Sequence, residues 1–246
     1  MDDLLDALGV TTRSVSTVEL DGRPARRTLV SRTYATDPDD LWDALTRPER
    51  IPRWFLPVTG DLREGGHYQL EGNAGGTVEQ CEPPRRFRVT WVMGDGGPTW
   101  LTVTLSAAGQ GTQQGTRLDL EHVGVVPAEL WEQFGPGATG IGWDLTLHGL
   151  ALHLGSGATV DPQAAAAWSA SDEGLAFLQR SGAAWRDADV EAGTSPAEAA
   201  VRAARTLAAY TGRPVPDQPG GPTGPDEPGE PTGPDEPGEP TGPTGP

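Results

Sequence analysis

Between residues 138 and 154 apolar side chains recur on two opposite sides of one stretch. Trp143, Leu147, Leu150 and Leu154 follow i, i+4, i+7, i+11, which is a single stripe on a helix. Ile141, Leu145, His148 and Leu152 form a second stripe, almost opposite the first at about 100° per residue. A helix with two apolar sides must be covered twice. The pattern therefore demands a sheet on one side and, on the other, either a further part of the chain or a second subunit.

The sheet is written upstream. Residues 14–20 and 26–34 alternate with β-branched residues and meet across Asp21-Gly22, a hairpin signal. Further strands are expected near 66–71, 76–82, 86–93, 99–106 and 116–123. Their alternation collects Tyr68 and Leu70, then Phe87, Val89 and Trp91, then Leu101, Val103 and Leu105, then Leu118, Leu120 and His122 on one face. Two helical pieces interrupt the strands. One opens at Asp37-Pro38, where Asp37 can cap and Pro38 suits the first helical position; the other runs from about Pro48 to Trp54-Phe55. The fold class is α+β: a curved antiparallel sheet over a long helix, from about residue 14 to 155, preceded by a short segment, 1–13.

Residues 156–213 read as a helical extension packed on that domain. Leu175, Leu178, Gly182 and Trp185 mark one stripe. Ser195-Pro196-Ala197-Glu198 spells a capping box, and Ala197, Val201, Ala204 and Ala208 lead to a stop at Gly212, so an α-hairpin is expected. Residues 214–246 are different in kind. From Pro222 onward every third residue is proline, and PTGPDEPGE occurs twice in full. Without apolar side chains this tail is expected to be a disordered, semi-extended spacer.

Charge narrows the partners. The net charge is −17, with 18 arginines and no lysine. The tail accounts for seven of the 35 acids, so the rest of the chain is acidic too. Nucleic acid and anionic membranes reward clustered cations, and neither is expected as a partner. Lysine chemistry is excluded. The opening residues lack a signal-peptide pattern and the single cysteine, Cys81, cannot close an intrachain disulfide, so a cytoplasmic location is expected.

No arrangement spells out a catalytic or metal centre. His148 and His153 are five residues apart and diverge around a helix, and His67 alternates outward, so no metal and no cofactor is expected. Glu79, Glu121, Arg88 and Thr90 fall on the outer sheet face. Gly135-Pro136-Gly137-Ala138-Thr139-Gly140 matches a dinucleotide fingerprint, yet a helical stretch precedes it where a strand is required. Ser156 lacks the surroundings of a nucleophile elbow. The aromatic residues are more informative. Trp54, Phe55, Tyr68, Trp91 and Trp143, with His122 as a polar group, come from the segments that would surround a pocket between sheet and helix. Either they line an apolar site or they fill the space completely. Trp100 opposes Leu101 in the alternation and so falls on the other face.

Four runs carry a family likeness: DGRPARRTLVSRTYATDPDDLWDALTRPERIPRWF (21–55), GTVEQCEPPRRFRVTW (76–91), GTRLDLEHVGV (115–125) and GWDLTLHGLALHL (142–154). With this order of elements, the chain resembles the START-like (SRPBCC) superfamily, and within it the family named for the activator of the heat-shock protein 90 ATPase. The resemblance implies a helix-grip fold with a cavity. Members bind apolar small molecules, cyclise polyketides or act as co-chaperone domains. The eukaryotic activator has an additional N-terminal domain with no counterpart here, which weighs against a direct co-chaperone role. Three functions follow as expectations: binding of an apolar or aromatic small molecule at Trp54, Phe55, Tyr68, Trp91, His122 and Trp143; a protein-interaction module with a filled core, whose partner is a chaperone or other protein; and a cyclase-type enzyme using His122. Monomer and homodimer both fit.

Overall fold

In the computed structural model, residues 10–109, 115–157 and 159–214 are described. The Pro/Gly/acidic repeat and the first nine residues lie outside them. The described elements are β1 (Thr12–Leu20), β2 (Arg23–Tyr34), α1 (Pro38–Thr46), a 3-10 turn (Ile51–Arg53), β3 (Val58–Gly60), β4 (His67–Leu70), β5 (Gly75–Glu82), β6 (Arg86–Trp91), β7 (Thr99–Ala108), β8 (Gly115–Gly124), α2 (Ala128–Phe134), α3 (Gly137–Ser156), α4 (Pro162–Ala170), α5 (Asp172–Glu191) and α6 (Pro196–Thr211).

All strand pairs are antiparallel, in the order β1-β2-β8-β7-β6-β5-β4-β3. Asp21 and Gly22 both take positive φ, 50° and 74°, as a two-residue hairpin loop requires. Register sets the inner face. Leu120 lies opposite Val30 on one side and Val103 on the other, while Leu118 lies opposite Leu105. This row and the α3 side chains Trp143, Leu147 and Leu150 belong to one buried core. The architecture is the expected α+β helix grip with a helical C-terminal extension.

The capping reading at α1 is realised: the Asp37 side chain accepts from the Asp40 backbone N–H. The stretch from Pro48 is shorter than expected, since only Ile51–Arg53 turn as 3-10 helix. Strand β3 and helix α4 have no counterpart in the sequence reading. Three residues after a proline are too few to show alternation. Helix α4 is mostly alanine, so it has no stripe to read, although Asp161 caps it by accepting from the Gln163 and Ala164 N–H groups. The extension is thus three helices, where a hairpin was expected. Its last helix buries Ala199 and Thr206, a face offset from the Ala197–Ala208 stripe. Polar anchors cause the offset: the Thr206 hydroxyl donates to the Phe134 carbonyl at 2.7 Å and Arg202 pairs with Asp189 at 3.1 Å.

Helix α3 is covered on its second side by α5. The glycines that imitate a dinucleotide fingerprint serve this packing. A Cβ at Gly140 would collide with the Trp185 ring, and one at Gly137 would crowd Thr206. Gly135 supplies the positive φ of 59° that ends α2.

His148 lies in the same interface, stacked on Trp168 at 5.3 Å and tilted against Phe177 at 5.2 Å. Burial lowers its pKa to about 4; Arg32 acts in the same direction and Glu173 opposes. In the unfolded chain the value is about 6.5. Between these values the unfolded chain binds a proton that the folded protein does not. The contribution is therefore fully present above pH 6.5 and is lost as pH falls towards 4. Urea unfolding at pH 7 and pH 5 is expected to show a loss of about 1–2 kcal/mol from this residue. The loss should be missing in His148→Phe, and an identical pH dependence in the two proteins would remove His148 from the acid response.

Candidate ligand cavity

The inner sheet face, α1, the 3-10 turn and α3 line a partly open cavity of about 130 Å³. Each wall follows from a local feature. Strand alternation presents Val78, Val89, Leu101, Val103 and Leu120. The 3-10 turn delivers Trp54 and Phe55, whose rings stack at 5.7 Å and 21°. Helix α3 presents Trp143, Thr146 and Leu147 from its sheet-facing side. The backbone of Trp54 rests directly on Gly149 of α3, where a Cβ would meet the Trp54 carbonyl at 2.7 Å. That approach fixes the turn against the helix.

Five of the six residues singled out from sequence, Trp54, Phe55, Tyr68, Trp91 and Trp143, line this space. His122 is not part of the lining. It stands behind Trp143, whose indole Nε1 donates to His122 Nδ1 at 3.3 Å. Alternation had put His122 on the correct face, but the bulk of Trp143 separates it from the cavity. Burial lowers its pKa to about 4. Trp100 lies on the outer face, where its Nε1 donates to Glu79 at 3.1 Å and Arg88 pairs with the same carboxylate at 3.1 Å. Glu121 pairs with Arg27 on that face at 2.5 Å. His67 meets Thr77 at 2.9 Å, and Ser156 donates to the Leu152 carbonyl at 2.7 Å. Among the described residues no cluster of histidine, cysteine and acids could hold a metal ion.

The polar atoms of the lining are mostly occupied by the protein itself. Trp54 Nε1 donates to the Ala44 carbonyl at 2.9 Å and the Tyr68 hydroxyl to the Thr90 carbonyl at 2.8 Å. Thr46 and Thr146 donate to their own helices at the Trp42 and Gly142 carbonyls, both at 2.8 Å. The Cys81 thiol and the Trp91 indole N–H have no hydrogen-bond partner among the described residues. Desolvation raises the pKa of Cys81, and the nearby Glu64 carboxylate adds to it. The Tyr68 phenol is pushed above its ordinary value by burial. The cavity is therefore neutral, and its walls are rings and aliphatic chains.

Sequence reasoning missed Arg13, Asp144 and Ser181. Asp144 sits in α3 within an otherwise apolar stretch, with its side chain fully buried. Arg13 Nε of β1 donates to both carboxylate oxygens at 3.2 and 3.0 Å. Ser181 and Trp185 of α5 donate to Oδ2 at 2.5 and 3.1 Å. Burial raises the Asp144 pKa while Arg13, Ser181 and Trp185 pull it down. A lone acid inside a helix that is otherwise apolar on both sides was the available signal.

A family model described as activator of Hsp90 ATPase homolog 1-like protein matches residues 35–155. The crystal structure of CalU16 from Micromonospora echinospora superposes with a TM-score of 0.55 at 31% identity, covering 72% of this chain and 97% of that one. The solution structure of CalU16 gives a TM-score of 0.61 at 31% identity, covering 74% and 97%. The chain belongs to this Hsp90 ATPase activator homologue family. The matched region of the family model contains the 3-10 turn, β4 to β8 and α3, and so the lining of the cavity. CalU16 aligns over more of the chain than the family model does. No curated protein matches the chain. No helix among the described residues is long and apolar enough to cross a membrane.

Proposed function

We propose that the protein binds an apolar small molecule, built on an aromatic ring, between its sheet and α3. The observation that supports this most directly is an open volume of about 130 Å³ whose lining is nearly all hydrocarbon and aromatic. An apolar cavity of about 150 Å³ in another protein stays dry and takes up benzene, so this one suits a single ring. Most polar groups around it already have partners within the protein, so a ligand rich in hydrogen-bonding groups would lose its water with little replacement. The open volume also favours this reading over an interaction module with a filled core. A cyclase reading requires an acid or base in the cavity. No carboxylate, imidazole or guanidinium belongs to its described lining, and His122 is shielded by Trp143.

Native mass spectrometry of protein purified from its own host is expected to show a co-purifying apolar species that denaturing extraction releases. In parallel, 4-fluorotoluene followed by ¹⁹F NMR should bind saturably. Thr146→Phe, which places a ring in the cavity from α3, should abolish that binding while leaving the unfolding midpoint near that of the parent. A clean apo mass together with no saturable binding would overturn the reading.

A further inference from the structure

A directed chain of hydrogen bonds runs behind one wall of the cavity. Trp143 Nε1 donates to His122 Nδ1 at 3.3 Å, and His122 Nε2 lies 2.7 Å from Thr99 Oγ1. The Thr99 hydroxyl donates to the Trp91 carbonyl at 2.9 Å. An indole N–H can only donate, so Nδ1 holds a lone pair and the imidazole hydrogen sits on Nε2. Every member of the chain then has one direction open to it. Trp91 and Trp143 both line the cavity, with ring centroids 5.1 Å apart at 63°. His122 meets the Trp143 ring edge-on at 5.6 Å and reaches Trp91 through Thr99.

We propose that His122 is a positioning residue for the cavity: its neutral Nδ1 holds the Trp143 ring in place as a wall, and protonation at that atom releases the ring and weakens ligand binding. The inference rests on the reading of the cavity as a ligand site. Protonated Nδ1 would point an N–H at the indole N–H, so the bond cannot survive the proton. Among the described residues no charged group contributes to the lowered His122 pKa, which burial alone causes. The strand partners of His122 are Thr28 on β2 and Leu101 on β7, and its ring nitrogens meet Thr99 and Trp143. Asp144, next to Trp143 in sequence, is engaged by Arg13, Ser181 and Trp185. Burial accordingly lowers the His122 pKa to about 4, so the switch would operate under acidic conditions.

The role is tested first without ligand. In ¹H–¹⁵N spectra of the apo protein from pH 7.5 to 4, His122 is expected as the Nε2–H tautomer at neutral pH. The Trp143 indole resonance should move with the titration of His122. Trp143→Phe removes the donor to the neutral form and should raise the His122 pKa. His122→Asn places an amide oxygen near the former Nδ1 position and cannot titrate, so the Trp143 resonance should stay constant with pH. His122→Leu should give the released resonance at every pH. With 4-fluorotoluene as probe, affinity should fall about two- to three-fold between pH 7 and 3.5 in the parent, where roughly three quarters of His122 is protonated and lacks the hydrogen bond, and stay level in His122→Asn. A His122 Nδ1–H tautomer, or a Trp143 resonance indifferent to His122, would overturn the positioning role. Equal affinity at both pH values in the parent would overturn the coupling alone. Absence of binding at any pH would remove the coupling together with the ligand reading, while the indole titration would still decide whether His122 positions Trp143.

Discussion

Asp144→Ala is expected to destabilise the protein by about 3–5 kcal/mol, because it leaves the Arg13 guanidinium buried without its counter-charge. The side chains of this pair are 6% and 0% exposed, and Arg13 Nη2 already has no hydrogen-bond partner. Water cannot easily replace the carboxylate there. Ser181 and Trp185 would lose their acceptor in the same step, adding two unsatisfied buried donors. With Ser181 and Trp185 the pair joins three elements distant in sequence, β1, α3 and α5, so the loss should appear as a lower urea midpoint for the whole domain. The double variant Arg13→Met/Asp144→Leu removes both charges and should recover most of the stability. A cost below about 1 kcal/mol for Asp144→Ala would mean that the site is hydrated and the pair ordinary.

Trp185→Ala is expected to cost about 3–5 kcal/mol, the range for deleting a large buried ring. Trp185 is 1% exposed and lies against Gly140, so the ring occupies the space that any other residue at 140 would need. Its removal opens a void between α3 and α5 that neither backbone can easily close. Trp185→Phe keeps much of the packing but loses part of the ring and the N–H to Asp144, so its cost should be nearer to about 1–2 kcal/mol. Since Trp185 and Asp144 touch, their effects should not add. A double-mutant cycle by equilibrium unfolding is expected to return a coupling of about 1–3 kcal/mol. Strict additivity would contradict the contact.

Much of the architecture was legible because it depends on periodicity. Strand alternation placed Leu118, Leu120 and His122 on one face, and the pairing of β8 with β2 and β7 puts that face inward. The Asp37-Pro38 start of α1 and the Asp21-Gly22 turn follow from local chemistry that tertiary packing did not override. Strand β3 and helix α4 were not legible, one being too short for a pattern and the other too uniform. In the candidate site the aromatic residues could be named because large rings at inward positions must face either core or cavity. Asp144 and Arg13 could not be paired, because they are 131 residues apart and only the tertiary fold brings them together.

The sequence by itself determined that α3 would need cover on two sides, because apolar side chains on opposite stripes cannot both lie on one sheet. It also determined the inner face of the sheet and the set of rings available to it. Only the tertiary structure decided that α5 supplies the second cover, through Trp185 on Gly140 and the shared Asp144. It likewise decided that the rings leave a cavity of about 130 Å³, and that Trp143 stands between His122 and that space. The physical reason is the same in each case. Alternation and helical period fix the direction of a side chain, whereas open volume and contact depend on how elements far apart in the chain come to rest against each other.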